Sequence, residues 1–434
     1  NSNYFVCDIG AQYDMVRGQS GLPFTQQYVG TTAFWYQITQ LSTFGLGLPL
    51  GILAWTSVVF TSIYYLVRPN RYDLLILSWV IPYFLLTGYL EVKFLRYMLP
   101  MTPFIIIMCS RMLLLFRAWM MRHKPEYVSL VNWGLIAVVL ITGVYAIAYL
   151  GIYSDKHTAV KASQWIQNNV DEDSTILMEH WEEQIPNLHG YRTGCGNQWD
   201  DLTCMRMYDA DETVYPDGRD KMEKVVDQLA NGDYLVLFSN RLYGTIPRLP
   251  QKYPESGKYY RELFQEHLGY KLTHVEMSYP NIAGVSFADN TFVRPNVGTP
   301  IHHALSIPDG LVVDLGYADE SFSVYDHPKI LIFENRARFT ADTISERISY
   351  GQTAIDSQPL TMSRHIEALQ QSHGSWASIY TGNVSQPMSV FLWLAFIYSI
   401  SWLGLPLTLL LFKSLPDMGY LLSKPLSILV VAFC

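Results

Sequence analysis

The charge-free run "FGLGLPLGILAWTSVVFTSIYYLV", residues 44–67, sets the fold class of this 434-residue chain. As a helix, it is long enough to cross a hydrocarbon layer of about 30 Å. Half of the chain is hydrophobic and only 16% is charged, which is less charge than soluble domains usually carry. The sequence therefore predicts a membrane protein.

More apolar segments follow, and a long polar region separates them. Before residue 153 the sequence predicts four spans, at about 44–67, 74–90, 97–116 and 130–152. A fifth is predicted at about 388–412, and a sixth begins near residue 419 and runs to the end of the sequence. We therefore expect a fragment of a longer protein, with a loop at 1–43, a separate domain at 153–387 and a further membrane module beginning at 388–434.

Basic residues in the short loops predict the orientation, because Lys and Arg are retained on the cytoplasmic side. The loops after the first and third spans carry such residues: Arg68, Arg71, Arg117, Arg122 and Lys124. The alternation of spans then predicts a multi-pass protein of the cell membrane. Residues 1–43, the 91–96 loop and residues 153–387 lie on its outer side. A net charge of −8 speaks against nucleic-acid binding, which needs a basic face.

The region after residue 153 has the pattern of an α/β domain. Three times, a segment with helical spacing precedes a short β-rich run: "AVKASQWIQNNV" with "STILMEH", "DKMEKVVDQLANG" with "DYLVLFS", and "YYRELFQEHLG" with "YKLTHVEM". This predicts a small, largely parallel sheet covered by helices, with left-handed caps at Gly232 and Gly269. "SFSVYDHPKILIF" predicts two strands joined by a turn at 326–329. Residues 339–371 are predicted to form a polar helix. The predicted fold is an α-helical polytopic membrane protein with an inserted extracytoplasmic α/β domain.

Two groups of residues are candidates for a metal or disulfide site. Cys195 and Cys204 either close a short disulfide loop or stay free thiols, since a cysteine count does not fix connectivity. The acidic and histidine residues of "MEHWEE" lack the His-x-x-x-His spacing of a zinc site, which favours a structural role. No cofactor is evident, and the sequence leaves a divalent metal open.

Basic residues interrupt the apolar sequence at "EVKFLRYMLPMTPF", residues 91–104. Lys93 and Arg96 are three residues apart, so on a helical turn they share a face at the membrane surface. Such a pair suits a lipid phosphate, and the alternative is that both side chains reach toward lipid head groups. Their position on the outer side, where basic residues are not expected, favours the phosphate site. Glu91 is a candidate to line the same site, and Tyr97 either lines it or anchors the loop at the membrane interface, which is the usual role of an aromatic ring there.

Other polar residues are predicted near this loop. In the segment before the first span, Asp14, Arg17, Gln26, Gln27 and Tyr36 either line a sugar or acceptor pocket or hold the loop together. After the second strand of the α/β domain, Arg241 and Arg248 are placed to meet an anionic ligand at a strand's carboxyl end. No glycine-rich phosphate loop precedes a helix, which speaks against nucleotide binding.

Several motifs resemble known families. "FLRYMLPMTPF" is similar to the Arg-Tyr-x-Leu-Pro element of family 39 glycosyltransferases, the group of the protein mannosyltransferases. "EHWEEQIP", residues 233–270 and "ADESFSVYDHPKILIF" resemble the YYY-domain membrane proteins of Chloroflexi and archaea. "SLPDMGYLLSKPLSILV" resembles the start of the second membrane module in those proteins.

The resemblance implies a GT-C-like glycosyltransferase half. Such an enzyme takes a hexose or pentose from a polyprenyl-phosphate donor at the outer face of the bilayer and transfers it to an acceptor, which the sequence does not identify. Lys93 and Arg96 would bind the donor phosphate, and the catalytic carboxylate is expected upstream of residue 1. The alternative is a non-catalytic membrane scaffold or transport-associated protein with an extracytoplasmic α/β binding domain. Arg111 alone lies clearly inside a predicted span, which favours an outer-face site over a translocation path.

Overall fold

The structure, a computed structural model, describes residues 23–180, 183–194, 202–207, 217–289 and 310–349, with isolated positions nearer the ends of the chain. The chain divides into two compact units, Asn1–Leu369 and Gln370–Cys434, and all elements below belong to the first. The predicted fifth and sixth spans fall where only isolated positions are described.

In the part of the chain that the structure describes, four helices are long and apolar enough to cross a membrane, which confirms the predicted membrane class. Two short helices, α1 (Pro23–Gln26) and α2 (Trp35–Gln40), precede them. The four are α3 (Leu48–Val67), α4 (Arg71–Tyr89), α5 (Thr102–His123) and α6 (Val128–Leu150), the last within the helical stretch Pro125–Asn169. Each overlaps one predicted span. Helix α5 begins later than its predicted span because Leu95–Met98 form a separate 3₁₀ turn.

The four helices pack through small and flexible side chains and expose their large ones. Ala54 of α3 and Ile105 of α5 are fully buried, together with Met98, Met101 and Met108. In contrast, Leu66 is 79% exposed and Val139 is 71% exposed. Exposed apolar surface on this scale is typical of contact with lipid rather than water.

After the helices, the chain forms a small α/β region. Its helices are α7 (Thr158–Asn169), α8 (Arg219–Asn231), α9 (Pro254–Phe264), α10 (Glu320–Ser323) and α11 (Ala341–Ile348). Its strands are β1 (Ile176–Glu179), β2 (Cys204–Met205), β3 (Tyr234–Leu237), β4 (Tyr270–Glu276), β5 (Asn281–Ile282), β6 (Val285–Ala288), β7 (Leu311–Asp314) and β8 (Ile330–Asn335). The three predicted helix–strand pairs are α7 with β1, α8 with β3 and α9 with β4.

The main sheet has the order β2-β1-β3-β8-β4. Strand β1 is parallel to β2 and β3, whereas β8 is antiparallel to both β3 and β4. The expectation of a largely parallel sheet is therefore wrong at β8. The chain enters β8 from residues 315–329, which lie at the edge where β3 ends, and a strand entered from that edge must run in the opposite direction.

Alternating side chains bury both faces of the main sheet, as the period of two in a strand requires. Leu177, Leu235 and Phe333 pack on one face against α8, α9 and α11. Met178 and Val236 pack on the other face against α7. Side chains that can meet a ligand therefore lie mainly at the edges of the sheet.

Two local predictions in this region are wrong. The first strand predicted in "SFSVYDHPKILIF" is the short helix α10, because the Asp319 side chain accepts a hydrogen bond from the Ser321 backbone N–H and caps the helix. Gly232 has φ −77°, so it is no left-handed cap. A side chain there would meet Leu177 at 2.5 Å, which explains the glycine. Gly269 does have a positive φ, but it lies beyond the end of α9, before β4.

A second sheet, of three strands in the order β5-β6-β7, was not predicted. Ala283 and Gly284, both with positive φ, join β5 to β6 in a tight turn. Strand β6 pairs in parallel with β7. The sheet lies against the end of α6. A Cβ atom added to Gly151 would lie only 2.8 Å from the Asn281 carbonyl oxygen, so a side chain does not fit there.

Candidate functional site

The candidate site lies where one edge of the main sheet meets the ends of the apolar helices. Leu237 of β3 pairs with Leu331 of β8, so the residues after β3 and those before β8 share this edge. On the helix side, Tyr28 and Tyr36 pack with Phe94 of the 90–98 loop. We call this region the junction, and define it by residues 23–47, 90–98, 239–253 and 315–329.

Asp319 is the most enclosed acidic residue of the junction, with no exposed surface. Its carboxylate accepts hydrogen bonds from the hydroxyls of Tyr36, at 2.7 Å, and Tyr28, at 3.3 Å. Its backbone N–H donates to Oε1 of Gln40 at 3.0 Å. Burial, and then the negative charge of Asp319, raise the pKa of Tyr28, which stays a hydrogen-bond donor. Asp319 therefore fastens the segment before α3 to the α/β region.

Glu320 forms a buried ion pair beside it. Nε of Arg241 lies 2.9 Å from Oε1 of Glu320, and Nε2 of Gln27 donates to Oε2 at 3.0 Å. Oε1 of Gln27 in turn accepts from the Glu320 backbone N–H at 3.2 Å. Burial raises the pKa of Glu320, and Arg241 and Gln27 oppose this shift without cancelling it. The pair therefore fixes a geometry more than it adds net stability.

Both arginines predicted to meet an anionic ligand are engaged within the chain. Arg241 meets the carboxylate of Glu320. Arg248 donates to the backbone carbonyls of Gln27, at 2.9 Å, and Val29, at 2.5 Å. Gln26 also contributes, with Nε2 donating to the Tyr253 hydroxyl at 3.4 Å. Of the predicted pocket residues, Gln26, Gln27 and Tyr36 thus hold the junction together, and Asp14 and Arg17 lie outside the described residues.

The structure separates Lys93 from Arg96. Lys93 is 2% exposed, and its ammonium donates to the Glu91 carbonyl at 3.0 Å. Arg96 is exposed on the 3₁₀ turn before α5, with its guanidinium 4.1 Å from the Phe94 ring centre and 5.9 Å from that of Tyr97. Among the described residues no carboxylate pairs with Arg96. Glu91 is exposed, and Tyr97 is half-buried with its carbonyl accepting from Tyr83.

A second buried group of charges ties the two sheets together. Asp289, directly after β6, lies 3.2 Å from Nζ of Lys329 and 3.6 Å from Nε2 of His327. All three are essentially without exposed surface. Burial alone would raise the pKa of Asp289, but the charge of Lys329 and the contact with His327 lower it. The sequence predicted His327 only as a turn residue, and no local signal linked it to Asp289.

Within the residues that the structure describes, no group of three or more His, Cys, Asp and Glu could hold a metal. Glu179 is buried and accepts from the Tyr259 hydroxyl at 3.3 Å. Cys204 is disulfide-bonded. Cys195 lies outside the described residues, so its pairing with Cys204 stays a prediction.

Lys252, at the outer rim of the junction, gives a pH-dependent prediction. Burial, and then the charge of Lys221, lower the pKa of Lys252 to about 8. An unfolded lysine titrates near ~10.4, so between these values the unfolded chain binds more protons and stability contributed by Lys252 rises with pH. Lys252→Met removes this penalty, and we expect it to stabilise the chain by roughly 2 kcal/mol at pH 7.

The gain should shrink as the pH approaches about 10, where folded Lys252 is neutral. Denaturant unfolding of the full chain in nanodiscs at several pH values measures it. The control is Lys224→Met, on the exposed face of α8, which should change stability by no more than about 0.5 kcal/mol. A gain that is the same at every pH would contradict the assignment.

The chain matches no protein-family model, no curated protein and no solved structure. The described residues form a membrane-associated protein in which four apolar helices are joined to a small α/β region through buried polar residues.

Proposed function

We propose that this chain is part of an integral membrane glycosyltransferase that uses a polyprenyl-phosphate-linked sugar. In this proposal the helices belong to a GT-C-like module, and the α/β region lies on the extracytoplasmic side of the cell membrane. The resemblance of residues 94–104, 233–270 and 318–333 to family 39 and YYY-domain proteins supports it. The basic loops after α3 and α5 support the orientation.

The observation that carries the proposal is the exposed guanidinium of Arg96 at the start of a membrane helix. An arginine offers a planar fork of N–H donors that matches a phosphate, and charge-assisted hydrogen bonds of this kind are strong. Arg96 contacts Phe94 and the Tyr97 side chain, and no acidic group among the described residues neutralises its charge. The rings of Phe94 and Tyr97 beside it orient the side chain.

The reaction places a specific demand on this position. The acceptor hydroxyl oxygen bonds to the anomeric carbon of the sugar while the bond from that carbon to the phosphate oxygen breaks. Negative charge then builds up on the departing polyprenyl phosphate, and a cation fixed at the membrane surface stabilises it. Arg96 supplies that cation, and buried Lys93 holds the loop through the Glu91 carbonyl. The base that takes the hydroxyl proton is not assigned to a described residue.

A second candidate is a non-catalytic membrane scaffold. Gln27 is a candidate to line a sugar pocket, but its side-chain amide donates hydrogen bonds to Glu320 and to the Phe24 carbonyl. A junction filled by its own side chains suits a fixed support as well as a transferase. Binding of the carrier lipid separates the two candidates.

The test measures binding of a polyprenyl phosphate to the full chain in nanodiscs, with the matching polyprenol as a phosphate-free probe. We expect the phosphate to bind more tightly, and Arg96→Ala to weaken it by roughly tenfold to a hundredfold, the loss of a hydrogen bond to a charged group. Arg122→Ala, at the other end of α5, is the matched control and should bind as the wild type does. Equal binding of the phosphate and the alcohol would reject the transferase and favour the scaffold.

A further inference from the structure

The three-stranded sheet carries an apolar face that the junction does not use. Val285 pairs with Leu311, and Phe287 with Val313, in the parallel ladder between β6 and β7. Paired residues of neighbouring strands project from the same face of a sheet, so these four apolar side chains share one face. Leu311 is 73% exposed and Val313 is 43% exposed. The exposed pair lies on β7, the strand of this sheet farthest from β5.

A ring contact fixes the height of this face relative to the apolar helices. The Phe287 ring lies edge-on to the ring of Tyr145, with 5.6 Å between their centres. Tyr145 lies five residues before the end of α6 at Leu150, which is about 7.5 Å along a helix. The sheet face therefore extends past the end of α6 towards the middle of this helix, which is apolar enough to cross the bilayer.

The other end of β7 is held at the same level. Leu315, directly after β7, packs in one cluster with Phe44, which precedes α3, and with Tyr149, in the last turn of α6. Strand β7 is thus fixed beside the ends of two apolar helices at once. A strand at that height lies in the head-group layer of any bilayer that α3 and α6 cross.

Aromatic residues mark the same level. Tyr149 donates its hydroxyl to Asp326 at 2.9 Å, and Tyr153 donates to the same carboxylate. Tyr153 and Tyr325 are each 58% exposed. Tyrosines whose rings are exposed and whose hydroxyls meet polar groups are typical of a membrane–water interface.

We propose that the β5-β6-β7 sheet is a membrane-inserted element of the α/β region. Its face of Val285, Phe287, Leu311 and Val313 enters the head-group and upper acyl region of the leaflet next to the α/β region. Interfacial elements of this kind bury their apolar face by about 5–10 Å. The occupant of the exposed patch is therefore the lipid of the bilayer, and the patch continues the lipid-facing surface of α6.

The test places a small environment-sensitive fluorescent amino acid at position 311 of the full chain in nanodiscs, and separately at position 313. Lipids that carry a nitroxide on the acyl chain quench a fluorophore efficiently only when it enters the bilayer. We expect blue-shifted emission and strong quenching at both positions. The same residue at position 271 is the control, because Lys271 is exposed at the opposite end of β4 from the junction.

A label at position 139, in the middle of α6, calibrates quenching within the bilayer. Thermal unfolding of each labelled protein verifies that the label has not displaced the sheet, and labels at 311 and 313 replace exposed side chains, so folding should be kept. If the labels at 311 and 313 have the same emission and the same low quenching as the label at 271, the sheet lies in water and the proposal is overturned. This result is independent of whether Arg96 binds a phosphate.

Discussion

Arg241→Met is expected to destabilise the full chain by about 3–5 kcal/mol, because it leaves the buried carboxylate of Glu320 without its cation. Both side chains of the pair are at least nine-tenths buried. The methionine keeps the volume of the arginine stem, so the loss reports the missing charge rather than a cavity. Denaturant unfolding in nanodiscs measures this loss of stability, with proteolytic cleavage of the α/β region as the readout of unfolding.

The pH dependence gives a second signature of the same pair. Burial already raises the pKa of Glu320, and removing Arg241 raises it further. A folded-state pKa above the unfolded value means that the folded chain binds the proton more tightly. The deficit of Arg241→Met should therefore shrink as the pH falls from 7 towards about 4.3, where the unfolded carboxyl is half protonated.

Two further variants separate this pair from general damage to the junction. Glu320→Gln in the Arg241→Met background removes the unpaired charge and should recover a large part of the stability. Arg336→Met breaks an exposed pair with Glu334, at 2.8 Å, and should cost no more than about 1 kcal/mol. If Arg241→Met lost no more stability than Arg336→Met, the ion pair would not hold the junction.

The fold could be predicted from the sequence wherever a local pattern fixed it. The absence of charge in 44–67 is enough for a span, and helical spacing followed by a β-rich run is enough for α7 with β1. The helix α10 could also have been predicted, because Asp319 in "DES" is a capping residue. The β-propensity of "FSV" instead predicts a strand there.

The junction could not be predicted, because its contacts join distant parts of the chain. Asp319 and the Tyr36 hydroxyl are 283 positions apart. The sequence predicts an anionic ligand for Arg241, whereas the structure pairs it with the Glu320 carboxylate of the same chain. That pairing depends on β8 lying next to β3, and no pattern of either strand specifies this order. For the same reason, the burial of Lys93 is visible only once the 90–98 loop packs on Tyr28 and Tyr36.

The second large effect is expected within the apolar helices. Nη1 of Arg111, on α5, lies 2.6 Å from Oδ1 of Asp73, on α4, and the guanidinium lies 5.2 Å from the ring centre of Tyr64, on α3. This ion pair therefore joins three of the four helices. Asn70 caps α4 by accepting from the backbone N–H of Asp73, so the carboxylate is held at the first turn of its helix.

Arg111→Leu should destabilise the chain by about 3–5 kcal/mol, because the Asp73 side chain, only 2% exposed, is left without its cation. Asp73→Asn should cost less, since the Arg111 side chain is 33% exposed and its long stem can turn toward the head groups. Unfolding of the full chain in lipid nanodiscs measures both. Arg122→Leu, in the last turn of α5, is the matched control and should change stability by no more than about 0.5 kcal/mol.

The same variants test whether this pair is structural or part of a translocation path. Ionisable residues within spans commonly mark transport. Among the described apolar helices, Asp73 and Arg111 form an ion pair of this kind. In a structural pair, Arg111→Leu combined with Asp73→Asn should restore most of the stability, and polyprenyl phosphate should bind the folded double variant as it binds the wild type. Equal losses for Arg111→Leu and Asp73→Asn would contradict the asymmetry. A double variant that folds normally but conducts or transports differently would instead assign the pair to transport.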